Sequence, residues 1–168
     1  MKRRSIPAVS LAVAVALAMY TGNVLATPGS GFSGTTLAKA TYGAIFSHVH
    51  TIPAYWDELI STKGASDLYV QENTWQPGGS TGWHTHPGPS FVIVTQGSVT
   101  AYDGDDPACT PHVYTAGTAN NAFIDPGDGH VHLIRNETDA VATTIAVQLI
   151  PQGAVRRQDA PDPGNCSF

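Results

Sequence analysis

From Asp67 to Leu149 the chain is cut by Gly, Pro and Asp turn signals into short β-like runs, and this spacing constrains its fold more than any other feature. Asp67 to Trp75 reads as a strand closed by Pro77-Gly78-Gly79, and Thr81 to His86 as another closed by Pro87-Gly88-Pro89. Phe91 to Gln96 is apolar and β-branched; Gly97 turns it into Ser98 to Asp103, and Gly104-Asp105-Asp106-Pro107 makes the next turn. His112 to Thr115, Asn121 to Ile124, His130 to Asn136 and Ala142 to Leu149 complete the set, with Pro126-Gly127-Asp128-Gly129 breaking the middle of it. Turn signals so closely spaced mark an antiparallel sandwich or barrel rather than βαβ units. The expected class is all-β. Trp56 to Ile60 alone reads as a helical turn.

The start of the chain has a different character. Lys2, Arg3 and Arg4 precede an apolar run from Ala8 to Met19, and Val24-Leu25-Ala26 places small residues where a signal peptidase needs them. Residues 1–26 are therefore expected to be a secretory signal peptide, because the apolar run falls short of the roughly 20 residues that span a bilayer. The rest is one domain by length. Residues 27–44, rich in Gly, Ser and Thr at their start, are expected to form a flexible arm, 45–151 the folded domain, and 152–168 a C-terminal tail. Without the signal, five Lys/Arg stand against thirteen Asp/Glu, a net charge of −8. Such a surface repels phosphate backbones and anionic lipid, so nucleic acid and membrane are excluded as partners. The remaining pair of cysteines, Cys109 and Cys166, is expected to be oxidised in a secreted or periplasmic protein, tying the tail back.

The chemistry lies in the histidines. Six of the seven fall into His-x-His pairs: His48/His50, His84/His86 and His130/His132. Residues two apart on a strand point to the same face, so each pair presents two imidazoles together. Two such side chains from one strand with one or two ligands from another make a metal site with open positions.

Two of the pairs sit in a longer pattern. Gly78 is followed after five residues by His84-Thr85-His86, then by Ser90 and, six residues later, by Gly97. This resembles the first motif of the cupin superfamily, Gly-x5-His-x-His-x3-Glu-x6-Gly, at every position except the glutamate. Gly129-His130-Val131-His132-Leu133-Ile134-Arg135-Asn136 is similar to the end of the second motif, Gly-x2-His-x3-Asn, with Pro126 near the motif's proline. The resemblance implies a cupin-type antiparallel jelly-roll barrel holding one divalent metal ion, Fe, Mn, Zn or Ni, on His84, His86 and His132. It implies a fallback role for His130 as ligand or hydrogen-bond donor. Asn136 fits the turn that ends its strand rather than the metal.

Ser90 departs from the motif, since a neutral hydroxyl is a poor ligand for such ions. The site is then three-histidine with water, or another carboxylate substitutes, or metal is bound weakly. Glu72 is the candidate substitute and candidate catalytic base. It shares a strand face with Leu68, Val70 and Thr74, and lies inside the barrel if that apolar face points inward; a shift of one residue turns it to solvent. His48 and His50 fit an exposed edge, and the segment from Thr41 to Ile52 offers that edge to a homodimer. Trp75, Trp83, Tyr102 and Tyr114 read as core, Arg135 as a surface charge, and Asp103, Asp105 and Asp106 as a hairpin turn. Three functions fit: a metal-dependent enzyme, dioxygenase-like if it holds Fe(II), on a small organic molecule; a non-catalytic metal and small-ligand binding barrel; or a metal-empty structural barrel. Fold alone does not choose among them.

Overall fold

The computed structural model describes residues 26–51 and 56–168, so the expected signal peptide, Ala26 excepted, lies outside the described residues. The strands are β1 (Ser30–Tyr42), β2 (Phe46–His50), β3 (Asp57–Ser61), β4 (Ser66–Ser80), β5 (His84–Thr85), β6 (Ser90–Gln96), β7 (Ser98–Asp103), β8 (His112–Thr115), β9 (Ala122–Asp125), β10 (His132–Arg135), β11 (Ala142–Pro151) and β12 (Gln158–Asp159). Every run expected between Asp67 and Leu149 contributes a strand, although the Thr81 to His86 run keeps strand geometry only at His84–Thr85.

Strand β4 is the spine. It pairs antiparallel with β1 on one side and β11 on the other. From β11 the sheet continues through β6 to β9, and at the end of β4 it joins β10, which carries β7 and β5. Strands distant in this order share one interior: Trp75 of β4, Val94 of β6, Val99 of β7, Ile134 of β10 and Ala142 of β11 form a buried cluster. A flat sheet cannot bring these together, so the antiparallel sheet is curled nearly into a barrel. A second cluster, Trp83, Tyr102, Leu133 and Ala160, packs on the disulfide between Cys109 and Cys166. Trp83 thus faces away from the histidine beside it.

The two motifs are joined directly. Gly78 N–H donates to the Asn136 carbonyl at 3.0 Å, and Asn136 N–H to the Gly79 carbonyl at 2.8 Å. At the close of the first motif Gly97 turns β6 into β7 with φ +68°, and a Cβ there would stand 2.8 Å from the Val141 carbonyl oxygen, so only glycine fits.

Four expectations are corrected. Most of the supposed arm 27–44 is strand β1, whose side chains are mostly exposed. Its backbone pairs along nearly all of β4, and buried Asp67 finds Thr41 at 2.6 Å and Lys39 at 3.0 Å on it. Backbone pairing without apolar burial leaves no hydrophobic period in the sequence. The run read as a helical turn, Trp56 to Ile60, is largely strand β3, in a hairpin with β2 that forms a sheet of its own. The sheet that curls into the barrel therefore begins at β1 rather than at residue 45, and the β2–β3 hairpin stands outside it. It also extends past 151, because β12 in the tail pairs with β5. Lastly, β4 turns its other face inward: Asn73 and Trp75 are buried, while Glu72 is exposed. Burying the roughly 200 Å² of a tryptophan contributes about 5 kcal/mol, more than Leu68 or Val70, which remain half-buried on the outer face.

Candidate metal centre

His132, at the start of β10, lies opposite His84 of β5 in register. Two imidazoles from separate strands therefore stand side by side, their ring centres 4.2 Å apart. His86, just past the end of β5, brings a third ring 4.9 Å from His84 and 5.4 Å from His132. A donor nitrogen of each lies within 4.8 Å of the other two.

Backbone carbonyls orient these rings. His84 Nδ1 is 2.9 Å from the Gly82 oxygen, His86 Nδ1 2.6 Å from that of Arg156, and His132 Nδ1 3.4 Å from that of His130. A carbonyl only accepts, so each Nδ1 carries the proton and each Nε2 keeps its lone pair free, the arrangement that metal-binding histidines require. Burial holds the rings neutral. It pushes the His84 imidazole far below its ordinary range, and repulsion from His132, Arg157 and His86 adds to the shift. His86 is lowered by burial against the pull of the Arg156 carbonyl and Asp125. His132 is lowered by burial against the pull of Asp125. Three neutral imidazoles with converging lone pairs fit a borderline divalent cation such as Fe, Mn, Zn or Ni.

The site opens into a cavity of about 260 Å³. Phe32, Trp75, Val92, Phe123 and Ile134 supply apolar wall; Gln71, Asn73, Ser90 and Gln148 supply polar wall. Glu72 is absent from it, which removes that residue as the substitute for the motif glutamate. The inward polar face of β4 explains why the apolar-face rule failed here. A hollow interior selects polar side chains that a packed core rejects.

Sequence reasoning missed two residues of the site. Asp125, at the end of β9, is buried and, among the described residues, is the single carboxylate on the cavity wall. Its Oδ2 is 3.8 Å from His86 Nε2, and its Oδ1 is 3.4 Å from His130 Nδ1 and 3.6 Å from His132 Nδ1. It lies directly opposite Ser90 across the β6–β9 pair, which only the register reveals. Arg156 comes from the tail and reaches the wall between β4 and β11. It donates to Gln148 Oε1 at 3.1 Å, Thr36 Oγ1 at 3.1 Å and Gln71 Oε1 at 2.6 Å. No carboxylate pairs with it among the described residues. His130 stays beside the centre, half-buried, with Nε2 3.4 Å from Asp103 Oδ1. His48 is exposed on the β2–β3 hairpin, 2.9 Å from Asp57, and His50 is exposed on the same strand.

Residues 72–148 match the family described as the cupin domain. No curated protein matches the chain. Among solved structures, the chain is similar to the oxalate decarboxylase of Lactobacillus farciminis in its formate complex, at 19% identity and TM-score 0.45, over 55% of this chain and 26% of that one. It is similar to peruvianin-I, described as a cysteine peptidase from Thevetia peruviana latex, at 26% identity and TM-score 0.44, over 71% of this chain and 68% of that one. A cupin superfamily protein from Desulfitobacterium hafniense is similar at 11% identity and TM-score 0.42, over 69% of this chain and 81% of that one.

Proposed function

Residues 72–148 match the cupin domain, and from that premise we propose that the chain is a cupin that holds one divalent metal ion on His84, His86 and His132 and acts with it on a small organic molecule that carries an anionic group. The observation behind this reading is the set of three Nε2 lone pairs left free by the carbonyl bonds of the three Nδ1 atoms. A bound ion of this kind supplies a Lewis acid, or with iron or manganese a redox centre, at the floor of the cavity.

The chain's own residues do the rest. Arg156 is oriented by three neutral acceptors, and its planar guanidinium lies over Tyr69 with the central carbon 4.1 Å from the ring centre. A guanidinium has five N–H donors, so a carboxylate still finds unused ones. Phe32, Val92 and Phe123 exclude water from the carbon skeleton. A binding barrel without turnover is the second reading. It is favoured by one feature, that among the described residues Asp125 is the single carboxylate on the wall. The disulfide fits an oxidising compartment, and export through the signal at residues 1–26 belongs to the same proposal.

Elemental analysis of protein purified without added metal tests the reading, with about one equivalent expected for a site of this kind. His86→Ala and His132→Ala should each abolish it. Metal retained by the double variant would refute the site. Turnover of carboxylate-bearing molecules by the metal-loaded protein, followed by oxygen uptake and product analysis, separates enzyme from binder.

A further inference from the structure

The glutamate that closes the family's first motif is Ser90 here, and its hydroxyl is already engaged, accepting from Gln148 Nε2 at 3.1 Å. Directly across the β6–β9 ladder from Ser90 stands Asp125. Its side chain is buried, with 4% of its surface exposed. Oδ1 accepts the Gly127 N–H at 3.1 Å and so fixes the turn after β9. Oδ2 has no hydrogen-bond partner and lies 3.8 Å from His86 Nε2, and Asp125 shares His132 with the triad through a second set of converging donors, Asp125, His130 and His132. A buried carboxylate oxygen without a partner is costly, and a cation removes that cost. Two ligands of one ion, each about 2.1 Å from it, stand roughly 3–4 Å apart.

Building on the three-histidine reading, we propose that Asp125 is the anionic ligand of the same ion, supplying through Oδ2, from the neighbouring strand, the oxygen that the motif glutamate supplies from the position of Ser90. The chain has moved the carboxylate across one ladder rung. The cross-strand distance at a pair is only about 5 Å, so the shorter aspartate on β9 reaches the region that a longer glutamate on β6 would reach.

The test is metal affinity, read for Zn(II) and Mn(II) by competition with a chromophoric chelator, in wild type, Asp125→Asn, His130→Ala and the double variant Asp125→Asn/Ser90→Glu. Asparagine keeps the Oδ1 that accepts from Gly127, so the turn is preserved. Loss of a ligand is expected to weaken binding by more than about 100-fold, beyond the 10- to 100-fold typical of groups that only orient a ligand. His130→Ala should change affinity by less than about tenfold, and Ser90→Glu should restore most of what Asp125→Asn loses. The proposal is overturned if Asp125→Asn binds within about 100-fold of wild type, or if His130→Ala weakens binding as much as Asp125→Asn does, either of which would make Asp125 a positioning residue. Wild type that takes up neither metal overturns the three-histidine reading along with it. Wild type that binds while Asp125→Asn is unaffected overturns this assignment alone.

Discussion

Replacing Asn136 by alanine should destabilise the barrel severely while leaving the metal site's ligands intact. Asn136 is fully buried between the end of β4 and the turn that leads from β10 to β11. Its Nδ2 donates to the Ala140 carbonyl at 2.7 Å and, at 3.3 Å each, to those of Trp75 and Gln76. Its Oδ1 accepts from Thr138 N–H at 3.0 Å and from the Thr138 hydroxyl at 2.7 Å. The three short bonds contribute about 1 kcal/mol each, and the groups stranded by alanine add to the loss, giving about 3–4 kcal/mol. That is a large fraction of the 5–15 kcal/mol of a typical domain, and corresponds to a fall in melting temperature of about 10 °C. Urea titration and thermal melting of the metal-depleted protein measure it, with an unchanged m-value showing that the unfolded state is the same. Below its melting temperature Asn136→Ala should still bind metal at wild-type stoichiometry. A loss under about 1 kcal/mol, or metal loss from a protein as stable as wild type, would refute the view that the second motif's asparagine is a structural staple.

Three further outcomes follow from the same geometry. The metal-free protein should lose stability as pH falls below about 6.5, because burial lowers the triad's imidazole pKa values, the unfolded chain takes up protons first, and each such ring costs up to about 1.4 kcal/mol per pH unit; melting temperatures flat from pH 7 to 5 would contradict the buried neutral triad. Arg156→Met should weaken binding of a carboxylate-bearing ligand by about 10- to 100-fold, the worth of a charge-assisted contact, without altering metal content; calorimetric titration reads both. Reduction of Cys109–Cys166, which closes a loop spanning 57 residues, should remove about 4 kcal/mol in the chain-entropy model, seen as a lower melting temperature with reductant, whereas an unchanged melting curve would show that the tail's packing suffices alone.

Much of the fold was readable before any coordinates because turn residues bound each β-branched, apolar run, even where the run itself does not show which face is buried. In β6, Ser90, Val92 and Val94 are buried while Phe91, Ile93 and Thr95 are exposed, and the flanking turn residues bound the strand. Strand β1 left no such sign, since it is held by backbone pairing and, Phe32 apart, keeps its side chains in water. Glu72 was assigned to the wrong face for a related reason. The apolar face of β4 is not the inner one, because the interior at that level is a polar-walled cavity into which Gln71 and Asn73 project.

Local spacing, then, was enough to determine an all-β chain with His84 and His86 two residues apart in one segment and His132 on another strand, because turn signals and short spacings depend only on neighbours along the chain. Which groups join them is a matter of register between segments far apart in sequence. Asp125 lies opposite Ser90 only through the β6–β9 pairing, and Arg156 reaches the cavity only because the tail adds β12 beside β5. No periodicity encodes such cross-strand partners. They are set by how the whole sheet curls, and so only the tertiary structure decided what surrounds the three histidines.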